Sequence, residues 1–245
     1  MAAVGPRVGR RDRLGFGFRL AVIVLWPLMR TVVSWDVRGA DRLTSTPGGV
    51  IVAANHLSWF DPLVVAYTLW TADRPPRFLA KEPLFRVPVI GRVIRSAGQI
   101  PVYRETADAA NAIRDALVAL DRGECVAVYP EGTITREPSL WPMVAKTGAV
   151  RMALISGAPL FPMAQWGPQD VMAPYSKRVR LIPRRTMHVR VGEPVDLSDL
   201  ADRPLDAETM REAGDRLMQA ITDLLVQIRQ GTPPAERFVY RREAP

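Results

Sequence analysis

Cysteine and histidine are nearly missing from this chain. Cys125 is the one cysteine in 245 residues, and His56 and His188 are the two histidines. One thiol cannot build a disulfide framework, and so few sulfur and imidazole ligands exclude a Cys-rich or His-rich metal centre. Imidazole chemistry therefore falls to His56 or His188. Long apolar runs are lacking too. Leu20 to Met29 gives ten uncharged residues between Arg19 and Arg30, whereas a helix crossing a bilayer needs roughly twenty. No Gly-x-Ser-x-Gly elbow is present, so a serine nucleophile of that kind has no seat. Acidic residues are outnumbered: 33 Lys+Arg against 25 Asp+Glu leave a formal charge of +8. That balance predicts anionic partners. It arrives without a zinc-finger, RNP or helix-turn-helix signature, which argues against nucleic acid.

What is present suffices for one large domain. Hydrophobic residues make up 48% and charged residues 24% of the chain, a globular composition with a real core. The N-terminal stretch carries Arg7, Arg10, Arg11, Arg13 and Arg19 against Asp12. Residues 13–35 read as a helix or helical hairpin, interrupted near Pro27, lying in a membrane interface. Trp26 and Trp35 suit that depth and the arginines suit lipid headgroups; a buried first helix with a solvated basic tail is the plainer alternative. The expected organisation is a basic tail and interfacial segment at 1–35, an α/β domain at 36–230 and a flexible tail at 231–245. The expected location is peripheral, on the cytoplasmic face of the cell membrane.

Hydrophobic periodicity predicts strands alternating with helices. Val50 to Ala54 reads as a buried strand ending at Asn55-His56. Asp61-Pro62 has the N-cap and first-turn proline pattern, with a helix through Trp70. Strands are expected at 77–81, 99–104, 125–129, 160–165 and 187–191, and helices at 106–120, 146–156 and 206–230. This order predicts an α/β fold with a mostly parallel central sheet flanked by helices, the connection at 167–184 breaking the simple alternation.

His56 and Asp61 form His-x4-Asp between a buried strand and a helix start, where such folds place functional loops. A carboxylate on one ring nitrogen fixes the tautomer and leaves the other free to accept a proton. The plainer alternative is a capping Asp61 beside an ordinary loop histidine. Tyr129-Pro-Glu-Gly-Thr133 follows a strand, and a glycine-containing strand-end turn suits a phosphate; the bland alternative is a simple turn. Arg104, at a strand end in Pro101-Val-Tyr-Arg104, suits bidentate phosphate binding, against a surface ion pair with Glu105. Ala158-Pro-Leu-Phe-Pro162 enters a core strand. Ser58 reads as a loop hydrogen-bonder, Cys125 as core and His188 as a partly exposed strand residue.

Taken in order, Asn55-His-Leu-Ser-Trp-Phe-Asp61, Gly98-Gln-Ile-Pro-Val-Tyr-Arg104, Tyr129-Pro-Glu-Gly-Thr133 and Ala158-Pro-Leu-Phe-Pro162 resemble the four blocks of the glycerolipid acyltransferases. These are the glycerol-3-phosphate and 1-acylglycerol-3-phosphate acyltransferases, and the resemblance covers roughly residues 20–195. Size and the apolar N-terminus look closest to the 1-acylglycerol-3-phosphate branch. The resemblance implies His56 as general base and Asp61 as its orienting partner. It implies Arg104, Glu131, Gly132 and Thr133 as the acceptor site, Lys81 as a further phosphate contact, and Pro159, Phe161 and Pro162 as the acyl-donor region. The family often has a basic residue directly after Glu-Gly-Thr; here Ile134 stands there, and Arg136 is the nearest substitute. The implied reaction carries a fatty acyl group from acyl-CoA or acyl carrier protein to the sn-2 hydroxyl of a lysophospholipid acceptor, 1-acylglycerol-3-phosphate. Its product is phosphatidic acid, and it needs no metal and no cofactor beyond the acyl thioester donor. A neutral imidazole, with a reference pKa of about 6.5, takes the hydroxyl proton as the oxygen attacks the thioester. Anionic membrane lipids are the expected surface partner. Rival readings keep the enzyme with another acceptor, glycerol-3-phosphate or another lysophospholipid, or drop catalysis for a membrane-binding scaffold.

Overall fold

The computed structural model describes residues 16–102 and 106–240. The first half runs α1 (Phe16–Val32), β1 (Val33–Arg38), α2 (Asp41–Ser45), β2 (Val50–Ala54), α3 (Asp61–Thr71), β3 (Pro76–Lys81), α4 (Pro83–Arg86), α5 (Ile90–Ser96) and β4 (Ile100–Val102). The second half runs α6 (Thr106–Asp121), β5 (Cys125–Val128), α7 (Gly148–Ser156), β6 (Leu160–Trp166), α8 (Pro168–Val171), β7 (Arg185–Val191) and α9 (Ala207–Arg229). The strands form one seven-stranded sheet in the order β1-β7-β6-β2-β5-β3-β4. Every neighbouring pair is parallel except β6 and β7. The α/β, mostly parallel expectation is therefore what the chain adopts.

The central strand β2 is buried at all five positions, so its sequence is a continuous apolar run rather than an alternation. Val50, Val52 and Ala54 pack with Phe161 and Met163 against α1 and α3 on one face. Ile51 and Ala53 pack with Val126 and Leu160 against Ala116, Val150, Leu217 and Ile221 of α6, α7 and α9 on the other. The Asp206 carboxylate caps α9 by accepting from the Thr209 N–H at 2.9 Å, and Gly123 ends the α6 connection in the left-handed region at φ 77°.

The N-terminal reading needs correction. The helix expected over 13–35 stops at Val32, and Val33 opens an edge strand whose register pairs Val33 with Arg185. The alternation Val33-Ser-Trp-Asp-Val37 fits a strand, with a parallel partner more than 150 residues away that the local pattern does not reveal. Trp35 stacks on Tyr67 at 3.8 Å, and its indole N–H donates to the Met29 carbonyl at 3.2 Å. Trp26 also stacks on Tyr67, at 6.2 Å, beneath the Arg30 guanidinium. Both tryptophans thus have protein partners. Pro27 lies inside one continuous helix. Among the described residues no helix is long and apolar enough to cross a membrane. Arg7, Arg10, Arg11 and Arg13 lie outside the described residues.

The C-terminal segment also departs from expectation. Residues 231–240 carry no regular structure, yet the Phe238 carbonyl accepts from the Val144 N–H at 3.0 Å and Arg237 donates to Gln219 at 2.6 Å. Backbone pairing and a side-chain bond tie this stretch to the body of the domain.

Candidate active site

Strands β2, β5 and β3 run parallel, so their C-terminal ends open on one edge of the sheet. His56 emerges there, two residues past β2. Asn55 extends the β2–β6 ladder with its side chain. Its amide donates to the Gln165 carbonyl at 3.0 Å and accepts from the Gln165 N–H at 2.8 Å, while the Gln165 amide donates to the Asn55 carbonyl at 3.0 Å. The loop after β5 then grips the His56 backbone from both sides. The His56 N–H donates to Glu131 Oε1 at 3.0 Å, and the His56 carbonyl accepts from the Thr135 N–H at 2.8 Å.

The imidazole is fixed as tightly. His56 Nδ1 lies 2.7 Å from Asp61 Oδ2, which also accepts the N–H of Leu57 and, at 2.9 Å, that of Ser58. One oxygen facing two backbone donors is an acceptor, so Nδ1 carries the proton and Nε2 carries the lone pair. Asp61 is fully buried at the first turn of α3, and it makes no cap bond to that helix. The simple capping role is therefore ruled out. Burial pushes the Asp61 carboxyl up, while the His56 ring and the two amides pull it back. Tyr129 lies flat against the imidazole, with ring centres 4.1 Å apart and planes 16° apart. Burial and the neighbouring Asp61 hold the Tyr129 hydroxyl well above its usual pKa, so it stays protonated.

The remaining expected site residues separate. Glu131 is 3% exposed, with Oε1 on the His56 N–H and Oε2 on the Met143 N–H at 3.0 Å. Its buried carboxyl braces two loops, a role the short motif did not reveal. Burial pushes it up to about 8, against the pull of those amides. Gly132 turns the chain at φ 70°, and Thr133 follows half-buried. Ile134 points into the core at 1% exposure. Arg136 does not fill the place of the missing cation, because its guanidinium sits 3.8 Å over the Tyr175 ring and 5.7 Å from that of Tyr240. Lys81 ends β3 at the same edge of the sheet as Tyr129. Arg104 lies outside the described residues.

Pro159, Phe161 and Pro162 do not reach the site. The parallel register pairs Phe161 with Val52 and Pro162 with Ala53, inside the sheet. Pro159 lies at the opposite end, bordering a cavity of about 420 Å³ with Gly48, Gly49 and Leu120. Phe161 and Pro162 are thus buried within the sheet, while Pro159 stands half-buried just before it. Ser58 is a loop brace, its hydroxyl donating to the Met172 carbonyl at 2.6 Å. Cys125 is core at 1% exposure. His188 belongs to an edge cluster in which Asp36 accepts from it at 3.0 Å and from Arg190 at 2.7 Å. Those donors hold the Asp36 carboxyl well below the usual range.

One cation at the site escaped the sequence reading. The Lys146 side chain lies across Gly132, so closely that a β-carbon there would stand 2.9 Å from its Cδ and Cε and 3.0 Å from Nζ. Lys146 is exposed, and its backbone N–H donates to the Pro130 carbonyl at 2.8 Å. Glycine at 132 thus serves both the backbone turn and the passage of this lysine. A lysine before a helix start carries no local signal of that contact.

The acyltransferase family profile matches residues 34–166, more than half of the chain and all of the segment that bears His56, Asp61 and Glu131. The chain belongs to the acyltransferase family. Over 176 residues the acyltransferase is 30% identical to the 1-acyl-sn-glycerol-3-phosphate acyltransferase of Bacillus subtilis, covering 72% of this chain and 81% of that one. It is 28% identical over 153 residues to the chloroplastic 1-acyl-sn-glycerol-3-phosphate acyltransferase BAT2 of Brassica napus, covering 62% of this chain and 42% of the plant protein. Against some relatives, then, it spans less than half of their length. The crystal structure of the 1-acyl-sn-glycerophosphate acyltransferase PlsC from Thermotoga maritima superposes with a TM-score of 0.60 at 21% identity, over 88% of this chain and 84% of that one. That likeness shows a shared fold.

Proposed function

We propose that this acyltransferase moves a fatty acyl group from a coenzyme A or carrier-protein thioester to the sn-2 hydroxyl of 1-acylglycerol-3-phosphate. The observation that carries the reading is the 2.7 Å contact between His56 Nδ1 and Asp61, which leaves Nε2 as the base. Nε2 takes the hydroxyl proton as the acceptor oxygen attacks the thioester carbon. The tetrahedral oxyanion collapses, the carbon–sulfur bond breaks, and the imidazolium returns its proton to the leaving sulfur. The products are phosphatidic acid and a free thiol. Asp61 stabilises the transient imidazolium, and the Tyr129 ring prevents the imidazole from turning away. The activity for which the Bacillus and Brassica relatives are named supports the same acceptor.

On this reading Lys146 and Lys81 hold the acceptor phosphate above the Gly132 turn, and the resemblance adds Arg104 as a further phosphate contact. Lys146→Ala is expected to lower kcat/KM for 1-acylglycerol-3-phosphate roughly tenfold or more, the size of one charge-assisted hydrogen bond. It leaves turnover of an unphosphorylated monoacylglycerol unchanged. Equal losses on both acceptors would assign Lys146 to the fold instead.

Thiol release by the purified protein, measured across a small acceptor panel, tests the function. Highest turnover on 1-acylglycerol-3-phosphate is expected. Equal turnover on acceptors without a phosphate, or preference for glycerol-3-phosphate, moves the assignment to another acceptor, a reading that buried Ile134 favours. Vesicle binding with no thiol release supports the scaffold. The acceptor is an amphiphile and its thioester donors are made in the cytoplasm. The enzyme therefore works, on this proposal, as a peripheral protein on the cytoplasmic face of an anionic membrane.

A further inference from the structure

Apolar side chains exposed at one end of a folded domain, interleaved with cations, mark a surface that meets lipid. The sheet topology gathers such residues around His56. Strands β2, β5, β3 and β6 all end at the edge where His56, Gly132 and Lys81 lie. Because β7 runs antiparallel to β6, the connection 167–184 leaves and re-enters the sheet at that same edge. β1 runs parallel to β7, which brings the α1–β1 junction there as well. The turn carrying α4 and the start of α5 follows β3 at this edge too.

The connection reads Lys177-Arg-Val-Arg-Leu-Ile-Pro-Arg184, with no acidic residue between 171 and 192. Its apolar members face solvent: Val179 is 50%, Leu181 38% and Ile182 90% exposed. Lys177, Arg178, Arg180 and Arg184 are exposed among them. The base of the loop is nevertheless pinned. The Arg180 N–H donates to the Val171 carbonyl at 2.7 Å, and Arg184 Nη2 donates to the Arg30 and Val33 carbonyls, each at 2.8 Å. The last bonds join the loop to the end of α1, where Leu28 is also exposed. Val87, Val89 and Trp59 add exposed apolar surface at this edge. An isoleucine almost wholly in water, on a base held by backbone bonds, is a costly arrangement unless the tip finds an apolar environment.

We propose that residues 177–184 form a membrane-contact loop. Val179, Leu181 and Ile182 enter the headgroup region of an anionic bilayer, and the flanking cations bind lipid phosphates. The His56 edge then faces the leaflet that supplies the acceptor. The proposal rests on the reading that the acceptor is a bilayer lipid. It places the contact on a loop inside the α/β domain, separate from the N-terminal basic segment.

The test uses the full chain with Ile182→Cys carrying an environment-sensitive fluorophore; the native Cys125 is buried and stays unlabelled. A second protein carries the same label at Ile155→Cys, exposed at the far end of the domain. On phosphatidylglycerol vesicles, the label at 182 is expected to shift to the blue while the label at 155 does not. Replacing Lys177, Arg178 and Arg180 together with glutamine is expected to weaken vesicle partitioning by roughly 10- to 100-fold at low salt. A label at 182 that stays water-like on vesicle-bound protein, or equal shifts at both positions, overturns the proposal. Thiol release by the same labelled proteins with detergent-dispersed acceptor is measured in parallel. Its absence would count against the enzymatic reading alone, and its presence beside a water-like label 182 against the loop alone.

Discussion

Replacing His56 with alanine is expected to leave the fold intact and to lower the acyl-transfer rate by at least two orders of magnitude. The loss follows from removing the only imidazole at the sheet edge, since positioned general bases contribute about 10²- to 10⁴-fold and His188 is committed to Asp36 on an edge strand. The fold survives because the backbone bonds at position 56, to Glu131 and from Thr135, do not involve the side chain. Asp61 keeps its acceptor bonds from the Leu57 and Ser58 amides. Thermal melting and thiol release on the same preparation give both readouts. Asp61→Asn should cost less than His56→Ala, because an amide oxygen still orients Nδ1–H but stabilises the imidazolium poorly. Wild-type rates in either variant would contradict the mechanism.

Glu131→Ala is expected to act chiefly on stability. It leaves the His56 and Met143 amides buried without an acceptor. Each orphaned amide costs about 1–3 kcal/mol, so a loss of roughly 2–6 kcal/mol is expected. On the proposed mechanism activity falls with it, because the same carboxyl seats His56. The pH dependence has a definite sign. Burial raises the folded Glu131 carboxyl from 4.5 to about 8, so the folded chain holds this proton more tightly than the unfolded chain does. Its contribution to stability is full below about pH 4.5 and is lost as pH climbs toward 8. Glu131→Gln does not titrate there. Its stability deficit relative to wild type, measured by urea unfolding, should therefore shrink between pH 5 and pH 8. A deficit that stays constant over that interval would show that Glu131 is an ordinary ionised carboxylate in the folded protein.

The features legible in the sequence are those written in short windows. The apolar run Val50 to Ala54, the periodic faces of α6 and α9, and His-x4-Asp at a strand end are all local patterns, and the structure places them as read. The features that escaped depend on distant partners. β1 looks like the tail of a helix until Arg185 to Arg190 is laid beside it. Glu131 looks like a ligand-binding turn residue until its bond to an amide 75 positions away is known. Arg136 stands near enough in sequence to replace the missing cation, but Tyr175 and Tyr240 take up its guanidinium. Lys146 reaches Gly132 only because the loop after β5 folds back through the Pro130 carbonyl. The block ending at Pro162 was legible as entry to a core strand, but the register that buries Phe161 and Pro162 beside Val52 and Ala53 was not.

The tautomer of His56 tests the account most directly. With only two histidines in the chain, imidazole nitrogen resonances from selectively ¹⁵N-labelled protein can be assigned by comparison with a His188→Gln variant. The account predicts a neutral His56 ring protonated at Nδ1, hydrogen-bonded there to Asp61, with an unprotonated Nε2. A ring protonated at Nε2, or one exchanging freely between tautomers, would contradict it.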